Sequence, residues 1–372
     1  EGLKHIWGRT DLIPLWVADM DFATAPFVTD AIRKRCENEV LGYTGKPDSY
    51  YNAIINWVKQ RYDLIVTKEV INFVPGIVPG IGMAMNCFTQ KGDKVMIQPP
   101  VYHPFAWVTT RNERTLVINP LKWENGMYRM DLDAFREQIK GCKLFILCNP
   151  HNPGGVVWTE AELRAIADIC YDEKVLVFSD EIHADLTLPP HTHRPFATVS
   201  EKARMNSVTF MSPSKAFNMP GLSASHALIF NEDLRKRFRI YMDAGELDMG
   251  HVFAFLSVEA AYSHGTEWLD QCLAYIQGNI DFVDEFLKKH APKIKAIRPE
   301  ASYLVWLDCR ELELSQKDLN EFFVDKAHLA LNDGEMFGKE GIGFMRLNVA
   351  SPRCIIEKAM KQLADAYQLY IK

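Results

Sequence analysis

Between about Val70 and Phe230 the chain alternates two kinds of segment, and this alternation limits its fold more than any other feature. Short runs rich in β-branched and aromatic residues, bounded by turn formers, occupy Val70 to Val74, Lys94 to Gln98, Thr115 to Asn119, Lys143 to Cys148, Val175 to Ser179, Ser207 to Met211 and Ala224 to Phe230. Between them lie segments such as Asp131 to Ile139 and Thr159 to Tyr171, whose apolar residues recur at helical spacing, with Thr159 placed to cap the second. Strands separated by crossover helices run in the same direction, so the pattern predicts an α/β fold with a mostly parallel sheet covered by helices. Past Asp248 the periodicity is helical as far as about Lys289 and stops at Ala291-Pro292. A smaller α+β unit follows, with strands at Ile294 to Ile297, Ser302 to Leu307 and Phe344 to Val349, a helix near Gln316 to Asp325 and a last helix from Arg353. The stretch before Cys36 has few partners of its own and is expected to pack on this unit. The expected division is a large domain over residues 36–270 and a small one built from 1–35 and 271–372.

A chain of 372 residues accommodates two domains, and 48% hydrophobic against 24% charged residues supply a sizeable core. The 42 basic and 48 acidic side chains leave a net charge of -6 with no basic block, which argues against a nucleic-acid partner. No apolar run approaches the roughly 20 residues of a spanning helix. Glu1 to Asp11 mix polar and apolar residues, so the expectation is a cytoplasmic protein with no membrane partner. The eight cysteines, from Cys36 to Cys354, show no C-x-x-C spacing, and reduced, mostly buried thiols are expected.

In an open α/β sheet ligands sit beyond the carboxyl ends of the strands, and four of those ends carry chemistry. The first strand runs into Pro75-Gly76-Ile77-Val78 before a helix. The strand ending at Cys148 leads into Asn149-Pro150-His151-Asn152-Pro153-Gly154-Gly155, the next into Asp180-Glu181-Ile182-His183, and a third into Ser212-Pro213-Ser214-Lys215. In their order and placement, H-N-P-G-G, D-E-I-H and S-P-S-K resemble the motifs of the class I/II aminotransferases, enzymes that use pyridoxal 5'-phosphate (PLP). That resemblance covers most of the chain. It implies PLP fold type I, the aspartate-aminotransferase-like fold, with a large domain around a mostly parallel sheet and a smaller α+β domain.

It also implies a site. Lys215 would bind the cofactor covalently, because a primary amine forms an exchangeable imine and, once displaced, can carry a proton. Asp180 would pair with the pyridine nitrogen, since a carboxylate favours its protonated form, and Asn152 would reach the ring's 3'-oxygen with His183 nearby. Tyr102 would stack on the ring, completing a catalytic set of Lys215, Asp180 and Tyr102. The phosphate would lie at the helix N-terminus, on Ile77 and Val78, aided by Ser212 and Ser214. Many aminotransferases carry a phosphate-binding arginine eight residues after the lysine; Ser223 stands there instead, and Ser223 or Ser214 is the expected substitute. Tyr43 would reach the phosphate from a second subunit, which implies a homodimer. Arg346 would hold an amino acid's α-carboxylate by its planar fork, with Arg353 as the competing surface residue.

The segment Pro14-Leu15-Trp16-Val17-Ala18-Asp19-Met20-Asp21-Phe22 resembles the opening of the MalY/PatB-type carbon-sulfur lyases, also called cystathionine β-lyases, and Ser223, Leu41-Gly42-Tyr43, Ala330 to Gly334 and Arg346-Leu347-Asn348 fit that branch too. The branch implies a small amino-acid substrate, with Trp16 and Ala18 against it, and β-elimination of a thiol from an S-substituted cysteine such as cystathionine. Transamination uses the same residues and stays open, as does a binding protein that keeps the fold without catalysis. A zinc hydrolase built on Asp180, His183, His191 and His193 leaves Lys215 and Asn152 without a role, and no metal is expected. Pro189-Pro190 is expected to turn His191 and His193 onto a surface loop.

Overall fold

The computed structural model describes residues 1–370. Its main sheet has seven strands: β1 (Ile71–Val74), β2 (Lys94–Ile97), β3 (Thr115–Ile118), β4 (Cys142–Cys148), β5 (Leu176–Asp180), β6 (Ser207–Met211) and β7 (Ser225–Leu228). They lie in the order β1-β7-β6-β5-β4-β2-β3. The five strands from β6 to β3 are parallel, and β7 is antiparallel to both its neighbours. Both faces are covered, so alternate residues of one strand enter different cores: Phe145, Leu147 and Val177 pack in one cluster, Leu144, Ile146 and Phe178 in the other.

Four-stranded antiparallel pairing organises the second unit, in which β8 (Lys295–Ile297), β9 (Leu304–Asp308), β10 (Asn332–Asp333) and β11 (Phe344–Asn348) lie in the order β8-β9-β11-β10. Of the residues before Cys36, the first part lies against it: Ile13–Pro14 pairs with Leu329–Ala330, and Asp21 donates its N–H to the Ala350 carbonyl at 2.8 Å. The helix Pro26–Cys36 packs instead on the helix Val252–His264, with Phe27 against Phe217, so the expectation holds only for the part that precedes it. One apolar cluster joins this N-terminal stretch, through Leu15 and Met20, to the second sheet and to three helices, α1 (Asp48–Tyr62), α4 (Val252–His264) and α5 (Thr266–His290).

Local chemistry sets the helix boundaries. Helix α2 (Ile77–Phe88) follows Gly76, whose φ of 131° lies in the region that favours glycine. Helix α3 (Glu160–Asp172) begins at a capping box in which the Thr159 hydroxyl accepts from Glu162 N–H and Glu162 accepts from Thr159 N–H. The expected helix over Gln316 to Asp325 is instead an α-helix to Glu321 followed by a wider π turn, Phe322–Lys326, and both Phe322 and Phe323 are buried there. The last helix, α6, spans Arg353–Tyr370. Among the described residues no helix is long and apolar enough to cross a membrane. Of the eight cysteines, all free, five are buried, Cys87 is half-buried, and Cys36 and Cys354 are exposed.

Candidate active site

A cavity of about 220 Å³ opens beyond the carboxyl ends of β1, β4, β5 and β6, where the topology brings the loaded loops together. Lys215, Asp180, Asn152, His183 and Tyr102 line it. So do Ile77 and Val78 at the start of α2, Ser214, Ser223 and, from the N-terminal stretch, Ala18. No side chain caps α2, so its first backbone N–H groups remain available to an anion.

Asp180 ends β5, buried, and its carboxylate accepts from the Ile182 N–H at 3.1 Å. Burial lifts its carboxyl from the ordinary range to about 7; neighbouring Glu181 adds to the rise, while the Ile182 N–H and Lys215 oppose it. The Lys215 amine follows β6 and donates a hydrogen bond to the Ala18 carbonyl. Burial depresses it to about 8, and repulsion from Arg346 contributes in the same direction. His183 is pushed down to about 3 by burial, then by the two cations, Lys215 and Arg346. It stays neutral at physiological pH. Burial also raises the Tyr102 phenol.

Arg346 lies behind the cavity wall and reaches it through Asn152; it sits on the inner strand β11 and is 4% exposed. Its Nη1 donates to Asn152 Oδ1 at 3.2 Å, and its Nη2 donates to the Trp16 carbonyl at 3.1 Å and to Asn332 Oδ1 at 2.5 Å. The guanidinium lies 4.9 Å from the centre of the Phe337 ring, and its buried Nε has no partner. With Asn152 Oδ1 so engaged, the side-chain NH2 is what Asn152 offers a ligand oxygen.

Besides Arg346, three expected residues stand outside the cavity wall. The Ser212 hydroxyl donates to the Ala224 carbonyl at 2.7 Å and accepts from Ser214 N–H, so it shapes the loop. The Trp16 ring packs against Trp7, 5.3 Å between ring centroids, and only its carbonyl meets Arg346. Tyr43 is 97% exposed. Arg353, the competitor of Arg346, opens α6 and donates through Nε to Asn279.

The surface placement of His193 is overturned. It is buried and bonds Glu181 Oε2 at 2.8 Å, because Glu181, also accepting from Ser179 and from Phe196 N–H, needs a last buried partner. His191 is the exposed one of the two. Among the described residues no three His, Cys, Asp or Glu side chains are grouped to hold a metal ion.

Sequence reasoning missed Tyr303, fully buried, whose hydroxyl donates to the same Ala18 carbonyl at 3.0 Å. It missed Ser225 in the cavity wall and the contact of Asn332 with Arg346. Cross-strand register and a contact spanning 285 positions supply these, and neither leaves a local motif.

The chain is 38% identical over 364 residues to "Cystathionine beta-lyase PatB" of Bacillus subtilis (strain 168), covering 97% of this chain and 94% of the relative. Its structure matches that of cystalysin from Treponema denticola, which contains a pyridoxal 5'-phosphate cofactor, with a TM-score of 0.94 and 34% identity over 98% of this chain and 93% of that one. The PLP-bound C-S lyase from Staphylococcus hominis gives a TM-score of 0.90 at 34% identity, over 99% and 94% of the two chains. The family model described as "Aminotransferase class I and II" matches residues 10–363, almost the whole sequence, and the chain belongs to that family.

Proposed function

We propose that this protein is a PLP-dependent carbon-sulfur β-lyase that takes cystathionine or another S-substituted cysteine and yields a thiol, pyruvate and ammonia. One observation carries the reading: the cavity that holds the buried Lys215 amine is walled by Asn152, and Asn152 is bonded from behind by a buried guanidinium whose partners, among the described residues, are all neutral; burial also depresses the amine to about 8. The amine suits proton removal, and the guanidinium lacks an anion that a substrate carboxylate would supply. Full-length likeness to lyases, 38% in one case, favours elimination over transamination.

The cavity residues fit the cofactor. Lys215 supplies the amine, Asp180 a carboxylate for the ring nitrogen, Asn152 an amide NH2 for the 3'-oxygen with His183 close by, and Tyr102 an aromatic face. Ile77 and Val78 N–H groups with the Ser214 and Ser223 hydroxyls suit the phosphate. When bound, the cofactor draws off the electron pair left at the substrate's Cα. Arg346 fixes the α-carboxylate, which sets the Cα–H bond relative to Lys215. The neutral Lys215 Nζ takes the Cα proton, the C–S bond breaks, and the thiolate leaves with that bond's electrons. Nζ–H is then the donor placed to protonate sulfur. Water converts the released aminoacrylate to pyruvate and ammonia.

Incubated with cystathionine alone, the loaded enzyme should release pyruvate, ammonia and thiol in equal amounts over many turnovers. An enzyme that stopped after one equivalent, resumed only when a 2-oxo acid was added and released no thiol would be an aminotransferase.

We also infer a large domain at 36–270 and a small domain of 1–35 and 271–372, with α5 carrying the chain across the boundary. A homodimer in which Tyr43 reaches the partner's phosphate site accounts for a tyrosine left 97% exposed on a segment that forms neither helix nor strand. A monomer in sedimentation at working concentration would rule this out.

A further inference from the structure

Every partner of Arg346 is a neutral acceptor or an aromatic face, among the described residues. Buried cations are ordinarily paired with carboxylates, so this neutrality needs a cause. Asn332 supplies much of it. It lies on β10 directly across from Arg346 on β11, is 8% exposed, and accepts from Nη2 at 2.5 Å. Its amide is oriented, since Nδ2 points to the Met336 sulfur at 3.3 Å and the opposite orientation would set NH2 against the guanidinium.

The next residue, Asp333, is a carboxylate, and it is engaged elsewhere by Gln316, Asn320 and the Glu335 N–H. Strand alternation puts it on the other face, so a slip of one residue would bring a negative charge onto Arg346. Gly334 fixes the register: a Cβ there would come within 2.1 Å of the Gly341 carbonyl oxygen and 2.3 Å of that of Phe344.

We propose that Asn332 is a positioning residue that aims the Arg346 fork with a neutral oxygen and so reserves its positive charge for the substrate's α-carboxylate. This rests on the reading of Arg346 as the carboxylate holder. Three of its five N–H donors are engaged, both of those on Nη2 among them; the free Nε–H offers one bond, and a carboxylate gripped side-on through Nε and Nη2 takes its second by displacing an acceptor of Nη2. The Trp16 carbonyl, the longer of the two contacts on Nη2, is the one that yields, while Asn332 stays.

The test compares Asn332→Asp with Asn332→Ala in the cofactor-loaded protein, titrated by absorbance with L-alanine and with ethylamine, which lacks the carboxylate. Asn332→Ala should weaken alanine about tenfold, the scale of one hydrogen bond to a charged group. The near-isosteric Asn332→Asp should weaken it about a hundredfold, because a buried carboxylate takes the cation for itself. Ethylamine should bind all three proteins alike, so the preference for alanine collapses in Asn332→Asp. Equal losses for both ligands, or alanine binding within about twofold of wild type in Asn332→Asp, would overturn the proposal. If Asn332→Asp does not load cofactor, the alanine-to-ethylamine ratio of Asn332→Ala decides by the same rule. A wild-type protein that prefers neither ligand would overturn the reading of Arg346 instead.

Discussion

Lys215 in the cavity wall and Arg346 behind it are two cations drawn out of water, and burial pushes both toward losing a proton. The outcomes differ. Lys215 falls from an ordinary 10.5 to about 8, whereas Arg346 falls from 12.5 to about 10. A similar environment therefore leaves a base on one strand end and a permanent cation on the other sheet. Their frames differ too. Lys215 follows β6 on a loop and holds a single carbonyl, while Arg346 is locked mid-strand between Trp306 and Asn332 and fastened by three hydrogen bonds. A group that moves a proton is loosely held, and a group that orients the substrate is not.

The largest effect should come from exchanging the first role for the second. Lys215→Arg keeps the charge and much of the length but cannot become neutral, so turnover should fall by about 10⁴-fold, as far as in Lys215→Ala. A Lys215→Arg enzyme within tenfold of wild type in steady-state assays would break the distinction between base and cation. The reverse exchange is milder. Arg346→Lys keeps a charge and loses the fork, which should raise KM about a hundredfold while kcat stays within tenfold. A fall in kcat with KM unchanged would mean that Arg346 acts on the reacting atoms rather than on the carboxylate.

How far these residues could be read from the chain depends on the range of the interaction that places them. Asn152, Asp180 and Lys215 each lie within a few residues of the end of a strand, so strand pattern and motif together located them at one sheet edge. Strand limits shifted by a few residues, as where Ala224 to Phe230 became Ser225–Leu228, without moving a site residue. Longer-range contacts were invisible. Pro189-Pro190 signalled a surface turn, but the signal carries no information about Glu181, which draws His193 into the interior. Ser212 reads in the sequence as a phosphate donor, and nothing local shows that its hydroxyl donates to the Ala224 carbonyl, twelve residues later. Asn332 lay in a segment noted only for its family likeness, and its partner is fixed by antiparallel register.

The smallest expected effect tests whether the two cations sense each other. Lys215 must be neutral to attack the aldehyde of PLP, so the rate at which cofactor-free protein captures PLP should rise with pH and level off above about 8. The depression has two sources, burial first and the Arg346 charge second. Arg346→Gln removes the second and leaves the first. The ammonium then survives to higher pH, so the inflection should move upward while remaining below the ordinary lysine value of 10.5. High salt should barely alter either curve, because a buried pair is poorly screened. An inflection that stayed at about 8 in Arg346→Gln would leave burial as the whole cause and make the two cations electrostatically independent.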